Sequence, residues 1–298
     1  MKNIIVITGA TATGKTKLSI QLAKQIDAEI ISADSMMVYK YMDIGTAKPT
    51  MEEMENIPHH LIDIVEPSYN FTAKDFVDYF DNVIKNIKNK NVIVSGGTWL
   101  YLQLALFGMS EAPAGNWEIR KKLYEKNNQE LWEELQKYDK EYAEKIHPND
   151  KRRIIRALEV YYMTGKPFSL YQKEHNFKNK RYNFVGFIIE RDKQELMERI
   201  EKRVEDMFEK GLIEEVKNLI NMGFEEAITA KQAIGYKEII PYLKGEISLE
   251  EAKENIKKNT KDFAKRQIRT FRNKTDFKVI NLSKTAEKDF IDEIKKLL

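Results

Sequence analysis

Apolar positions along the chain alternate between short unbroken runs and helical stripes. The unbroken runs are Ile4-Ile5-Val6-Ile7, Ile30-Ile31 within residues 29–33, Val92-Ile93-Val94 within 91–95, and Phe187-Ile188-Ile189 within 184–189. Each is bounded by glycine or polar residues, the mark of a strand buried on both faces. Helical stripes lie between them. Leu18, Leu22 and Ile26 recur one turn apart, and Phe76, Val77, Phe80, Val83, Ile84 and Ile87 make one broad apolar face. Residues 99–106 predict a helix after the third run. Residues 196–220 predict another, broken near Gly211, and residues 277–282 predict a last strand. Leu61 to Val65 is a short apolar run stopped by Glu66-Pro67. This alternation predicts an α/β fold, a parallel sheet with helices on both faces; what makes it P-loop NTPase-like is the loop after the first run, with Gly9, Gly14, Lys15 and Thr16 at G-x-x-x-x-G-K-[ST] spacing.

The pattern changes at Glu111-Ala112-Pro113-Ala114-Gly115. From there to about Lys180 the chain is helical and charged, with Leu131, Leu135 and Tyr138 on one face and Ile155, Leu158 and Tyr162 on another. The sheet pattern then returns. We therefore expect an α/β core from residues 1–112 and 183–298, and a helical insertion over 113–182. The chain has 298 residues, 42% of them hydrophobic, which suits a globular core of this size. It has no cysteine, which excludes disulfides, thiolate metal sites and cysteine nucleophiles. No apolar run is long enough to span a membrane, and the N-terminus enters a strand directly, so a cytoplasmic protein is expected. The net charge of +3 leaves a nucleic-acid partner to be argued from where the charges sit.

The first strand and first helix enclose Gly9-Ala10-Thr11-Ala12-Thr13-Gly14-Lys15-Thr16, the G-x-x-x-x-G-K-[ST] spacing common to nucleotide- and ATP-binding P-loops. Backbone N–H groups and the helix N-terminus favour a di- or triphosphate there. Lys15 would pair with its oxygens and Thr16 would ligate Mg²⁺. In parallel sheets, ligands sit beyond the carboxyl ends of the strands. The second and third strands end in Asp34-Ser35 and Gly96-Gly97-Thr98, so these groups should converge on the P-loop. Asp34 has two readings: a proton acceptor, or a helix N-cap. Thr98 likewise either bonds a reacting group or caps the next helix. Arg199 and Arg203 share a helix face. One of them would clamp phosphates, or both would pair with Glu195 or Glu205. Cations cluster at Lys151, Arg152, Arg153 and Arg156, and again from Lys257 to Arg272 at i, i+4 spacing. Each cluster is either a solvated face or a polyanion-binding surface. His59-His60 has no third ligand at suitable spacing and reads as structural.

Taken together, several blocks resemble the tRNA dimethylallyltransferase (tRNA isopentenyltransferase) family. They are the P-loop over 9–16, Ile-Ser-Ala-Asp-Ser-Met-Met-Val-Tyr over 31–39, Met-Asp-Ile-Gly-Thr-Ala-Lys-Pro over 42–49, Gly-Gly-Thr-Trp-Leu-Tyr over 96–101, Ile-His-Pro-Asn-Asp over 146–150 with Arg-Ala-Leu-Glu-Val over 156–160, and Lys-Arg-Gln-Ile-Arg-Thr-Phe-Arg over 265–272. Two positions depart from the family pattern: Ala10 stands for its usual proline, and Trp99 for a glycine. The resemblance implies transfer of a dimethylallyl group from dimethylallyl diphosphate to the N6 amine of the adenosine 3′ of a tRNA anticodon, with Mg²⁺ as cofactor. By the same resemblance Gly9, Ala10, Thr11, Ala12, Thr13, Gly14, Lys15 and Thr16 bind the diphosphate, and Asp34, Thr98 and Arg203 are catalytic. Asp34, Ser35, Met36, Met37, Thr98, Arg120, Arg152, Arg153, Ile154, Ile155 and Arg156 contact tRNA. The implied partners are the tRNA anticodon stem-loop and dimethylallyl diphosphate, with no membrane, and the chain acting as a monomer. A P-loop small-molecule kinase and a nucleotide-gated RNA-binding protein are the competing readings.

Overall fold

The computed structural model describes residues 2–297. Six strands form one sheet: β1 (Asn3–Gly9), β2 (Ala28–Ser32), β3 (His59–His60), β4 (Asn91–Gly96), β5 (Phe184–Glu190) and β6 (Lys278–Asn281). Their order is β3-β2-β4-β1-β5-β6, and every neighbouring pair is parallel. β1 lies inside the sheet, with Ile5 opposite Ile93 of β4 and Val185 of β5. Strands β2 to β4 lie on one side of β1, and β5 and β6 on the other. The carboxyl end of β1 is therefore the switch point, where parallel sheets open a crevice.

The chain forms two compact units. The first takes residues up to Ala105 together with those from Tyr182 onward; the second is Leu106–Arg181. The first contains the sheet with α1 (Lys15–Ile26), α2 (Met51–Met54) and α3 (Ala73–Asn86), and most of α4 (Trp99–Phe107). The second contains α5 (Trp117–Glu125), α6 (Asn128–Tyr138), α7 (Lys140–Ala143), α8 (Lys151–Thr164) and α9 (Phe168–His175). The first unit resumes with β5, then α10 (Lys193–Glu209), α11 (Leu212–Asn221), α12 (Tyr236–Leu243), α13 (Leu249–Lys274), β6 and α14 (Glu287–Lys295).

The helical stripes seen in the sequence are the buried faces. Leu18, Leu22 and Ile26 of α1 pack with Ile5 and Ile7 of β1 and with Phe290, Ile291 and Ile294 of α14. Strand alternation turns Ile4 and Val6, also buried, to the opposite face. α3 begins at Ala73, earlier than its apolar stripe, because Thr72 and Asp75 form a capping box. Gly211, at φ +98°, separates α10 from α11 in a left-handed conformation that suits glycine. The run 61–65 does not join the sheet; it bridges from Val65 to Tyr39, and Asp63, Ile64 and Val65 donate their N–H groups to the carbonyls of Met37 and Val38. His59 and His60 form the short edge strand. Their rings bond the Ile57 carbonyl at 2.8 Å and the Glu29 carboxylate at 2.6 Å, which are structural tasks. Among the described residues no helix is long and apolar enough to cross a membrane.

Candidate active site

Gly9 closes β1 so near to β5 that a Cβ would lie 2.2 Å from the Ile189 carbonyl oxygen. The loop then turns through Ala12 at φ +63° and Gly14 at φ +96°, and α1 starts at Lys15. The loop braces itself through one carbonyl. Ala10 O accepts from Thr13 Oγ1 at 2.8 Å and from Lys15 Nζ at 2.5 Å. Burial pulls the Lys15 ammonium down to about 7; the Asp34 carboxylate works against that and the Arg203 cation with it. The Thr16 side chain lies exposed on the first turn of α1.

Not every loop residue is free to hold a phosphate. Thr11 N–H donates to Gln267 Oε1 of α13 at 2.9 Å, and Gln267 Nε2 donates to Gly97 O at 3.0 Å. Ala10 is fully buried against Leu196, Ile200 and Ala264. Gly9 and the Ala10 side chain shape the loop and the Thr11 amide is bonded to Gln267, while the N–H groups of Ala12, Thr13 and Gly14 take no hydrogen bond among the described residues.

The ends of β2 and β4 stand beside this loop, as parallel topology requires. Asp34 Oδ1 accepts the N–H of Met36 at 2.8 Å and of Met37 at 3.4 Å, capping the turn over residues 35–38. Its Oδ2 takes no hydrogen bond among the described residues. The predicted helix N-cap is thus a turn cap that uses one oxygen and leaves the other. Thr98 Oγ1 accepts the Ser35 N–H at 3.1 Å, and Thr98 N–H donates to Ala33 O at 3.1 Å. Thr98 therefore ties the Asp34 turn to the end of β4. Gly96 permits this contact, since a Cβ there would meet the Ala33 carbonyl at 2.2 Å. Trp99 packs edge-on to Phe271 of α13, with ring centres 6.3 Å apart.

The two arginines of α10 divide the alternatives between them. Arg203 forms no ion pair among the described residues. Its Nη2 donates to Thr46 O at 3.0 Å; burial lowers its pKa and the Asp34 carboxylate raises it. Arg199 lies 3.9 Å from Glu195 and donates through Nε to Ala12 O at 2.8 Å. The carbonyl that receives Arg203 belongs to a loop fixed by Glu215 of α11. That carboxylate accepts the N–H groups of Asp43, Ile44 and Gly45 and the Tyr236 hydroxyl. Lys15, Asp34 and Arg203 thus come from α1, the end of β2 and α10 to one place, near enough that the Asp34 carboxylate favours the charged form of both the lysine and the arginine.

In the second unit the residues of the expected tRNA-contacting stretch face different ways. Ile154 and Ile155 are 0% and 1% exposed and pack against Leu131, Leu135 and Leu158, so their side chains belong to the core of this unit. Arg120 and Arg156 converge on Glu159, which is itself fully buried. Arg120 bonds it through Nε at 2.8 Å and Nη2 at 3.1 Å, and Arg156 through Nη1 at 2.5 Å. Asn116 N–H adds a further bond to the same carboxylate. Arg152 and Arg153 remain exposed; Arg153 pairs with Asp150 at 3.4 Å, and Arg152 makes no ion pair among the described residues. The C-terminal stripe is also largely spent within the chain. Lys257 pairs with Glu205 and Lys261 with Glu201, both on α10, Lys265 pairs with Asp262, and Arg272 holds Glu190. Lys258, Arg266 and Arg269 are its exposed cations outside any ion pair among the described residues.

Replacing Glu159 with alanine strands two guanidinium groups and an amide at one point. The expected cost is about 2–4 kcal/mol, discounted because both arginines are partly exposed. Amide exchange across α8 should accelerate by the matching factor. Unchanged protection of α8 in that variant would show the cluster to be dispensable.

Gln267, Glu215, Glu159 and Arg191, which bonds Thr13 O at 3.0 Å, were not singled out by sequence reasoning. For Glu159 a signal existed, since it lies three residues after Arg156. For Gln267 there was none, because 256 positions separate it from Thr11.

Three comparisons bear on this arrangement. The sequence profile described as IPP transferase matches residues 37–274, well over half of the chain. A protein named tRNA dimethylallyltransferase from Sulfurihydrogenibium sp. (strain YO3AOP1) is 64% identical over 293 residues, covering 98% of this chain and 95% of its own. One of the same name from Aquifex aeolicus (strain VF5) is 49% identical over 300 residues, covering 99% and 97%. Among solved structures, a eukaryotic dimethylallyltransferase described as acting on tRNA superposes with a TM-score of 0.85 at 31% identity, covering 99% of this chain and 80% of that one.

Proposed function

The chain belongs to the IPP transferase family, and from that premise we propose that it transfers a dimethylallyl group from dimethylallyl diphosphate to the N6 amine of the adenosine 3′ of a tRNA anticodon. The observation that carries this reading is the meeting of Lys15, Asp34 and Arg203 beside the P-loop. The carbon–oxygen bond of the donor breaks and pyrophosphate departs. The adenine nitrogen takes the allylic carbon and gives up a proton. Lys15, Arg203 and the loop amides stabilise charge on the departing diphosphate by preorganised electrostatics. Asp34 Oδ2 accepts the proton, while Oδ1 stays on its turn. Thr98 keeps that turn in register with β4.

Mg²⁺ fits this donor set. The exposed Thr16 hydroxyl stands beside the phosphate-facing amides, and Mg²⁺ prefers a site completed by substrate phosphate oxygens and water. When bound, the ion neutralises charge on the diphosphate. The chain acts as a monomer in the cytoplasm, on tRNA whose phosphates are met by exposed cations such as Arg152. Removing Arg152 should lower the log–log salt slope of tRNA binding by about 0.7–0.9. An unchanged slope would make Arg152 part of a solvated face. The reading itself is tested by incubating the protein with unmodified tRNA, dimethylallyl diphosphate and Mg²⁺, then digesting the RNA to nucleosides for mass spectrometry. N6-dimethylallyladenosine at the position after the anticodon is expected. Its absence from tRNA that the protein binds would refute the transfer.

A further inference from the structure

Two arginines outside the reacting cluster grip the P-loop from its carbonyl side. Arg199 Nε donates to Ala12 O at 2.8 Å, and Arg191 Nε donates to Thr13 O at 3.0 Å. Each is held in place. Arg191 follows β5 directly, and its Nη1 bonds Glu195 Oε1 at 2.7 Å and Leu282 O at 3.3 Å. Glu195 is locked in turn by the Ser283 hydroxyl at 2.5 Å and lies 3.9 Å from Arg199. The two guanidinium groups flank Gly14. A Cβ on that residue would stand 3.5 Å from Arg191 Nη2 and 3.7 Å from Arg199 Nη2.

The described chain contains no cis peptide bond, so each peptide carries its C=O and N–H on opposite sides. Pinning Ala12 O to Arg199 therefore turns the Thr13 N–H the other way. Pinning Thr13 O to Arg191 does the same for the Gly14 N–H. Among the described residues no hydrogen bond takes the N–H of Ala12, Thr13 or Gly14, whereas the Thr11 N–H belongs to Gln267. We propose that Arg199 and Arg191 are positioning residues for the diphosphate: they hold two successive P-loop peptides with their N–H groups aimed into the anion cradle, without touching the reacting atoms. This inference rests on the diphosphate-binding reading of the loop. It deepens that reading by dividing the labour between Arg203, which faces the substrate, and the pair that sets the loop. The loop's φ values of +63° at Ala12 and +96° at Gly14 are unfavourable or glycine-only backbone, the kind that needs such outside support.

Arg199 is the better probe, since its side chain is 41% exposed against 11% for Arg191 and its replacement spares the core. Amide spectra of the full, deuterated ¹⁵N-labelled protein would be followed as inorganic pyrophosphate is added with MgCl₂. In the wild type the Thr13 and Gly14 amide protons should move downfield while that of Thr11 stays. In Arg199→Met the Thr13 shift should shrink and the pyrophosphate Kd should rise about ten-fold, the scale of one lost charge-assisted hydrogen bond. The Km for dimethylallyl diphosphate should rise with it, and the Km for tRNA should not. Arg199→Lys, which keeps a charged donor within reach of Ala12 O, should recover most of the affinity. Arg191→Lys should reproduce the pattern at Gly14. Equal pyrophosphate affinity in wild type and a folded Arg199→Met variant would overturn the positioning role alone. Equal losses in the Lys and Met variants would overturn it too, by showing that a donor at that carbonyl is not what matters. A wild-type protein that takes up no pyrophosphate would overturn both the functional reading and this role.

Discussion

Replacing Asp34 with asparagine should lower turnover by about 10²–10⁴-fold, the usual contribution of a positioned general base. The substitution keeps size and shape. The amide oxygen still accepts the Met36 and Met37 N–H groups, so the turn over residues 35–38 survives. What is lost is the capacity of the second oxygen to take a proton from the adenine amine. Single-turnover rates with saturating donor and tRNA isolate this step. Binding of either substrate should change little, since Asp34 acts mainly as charge develops on the amine. Near-wild-type single-turnover rates in a folded Asp34→Asn protein would reduce the residue to the cap of its turn.

Replacing Lys15 with methionine should cost about 10²–10³-fold in turnover, the scale of removing one donor aimed at developing charge. The lysine also leaves a pH signature. Burial lowers its pKa to about 7, well below the 10.5 of an unperturbed amine. A diphosphate beside it favours the ammonium, so between pH 7 and the pKa of the complex, binding draws in a proton. Pyrophosphate affinity should therefore fall as pH rises above 7, by up to about ten-fold per pH unit, beyond the titration of pyrophosphate itself. In Lys15→Met only the ligand's own titration should remain. The same group acts on folding with a definite sign. Between pH 7 and 10.5 the unfolded chain holds the extra proton, so this lysine makes stability rise with pH across that window. Calorimetry of pyrophosphate binding in buffers of different ionisation enthalpy reads the proton directly. Identical uptake in wild type and Lys15→Met at pH 8 would contradict the assignment.

What the sequence made legible was local or topological. Gly9, Gly14 and Lys15 specify a strand, a tight loop and a helix start within a few residues, so their spacing alone placed the P-loop. Unbroken apolar runs marked β1, β2, β4 and β5 as interior strands, and parallel topology then required Asp34 and Thr98 to stand beside the loop. What stayed hidden depends on distant pairings. Arg199 and Arg203 share one helix face, and only the fold shows that the first meets the outer carbonyl of the loop and the second the Asp34 side. Gln267 and Arg191 reach the loop from far along the chain. Residues 152–156 show a different limit. A contiguous block inherited from a family suggests contact along its length, yet a helix turns each residue by about 100°, which sends Ile154 and Ile155 inward and Arg152 outward. Arg156 sits on the boundary and is drawn to Glu159.

The central claim is that this P-loop serves an alkyl diphosphate whose pyrophosphate leaves whole. It is tested most directly by counting products in one vessel containing protein, Mg²⁺, tRNA, carbon-labelled dimethylallyl diphosphate and ATP labelled in its terminal phosphate. The account predicts one pyrophosphate released for each dimethylallyl group found on tRNA, and no tRNA-dependent release of label from ATP. Inorganic phosphate released from ATP in step with added tRNA, with no carbon label on RNA, would contradict it and favour an RNA-gated ATPase or a kinase.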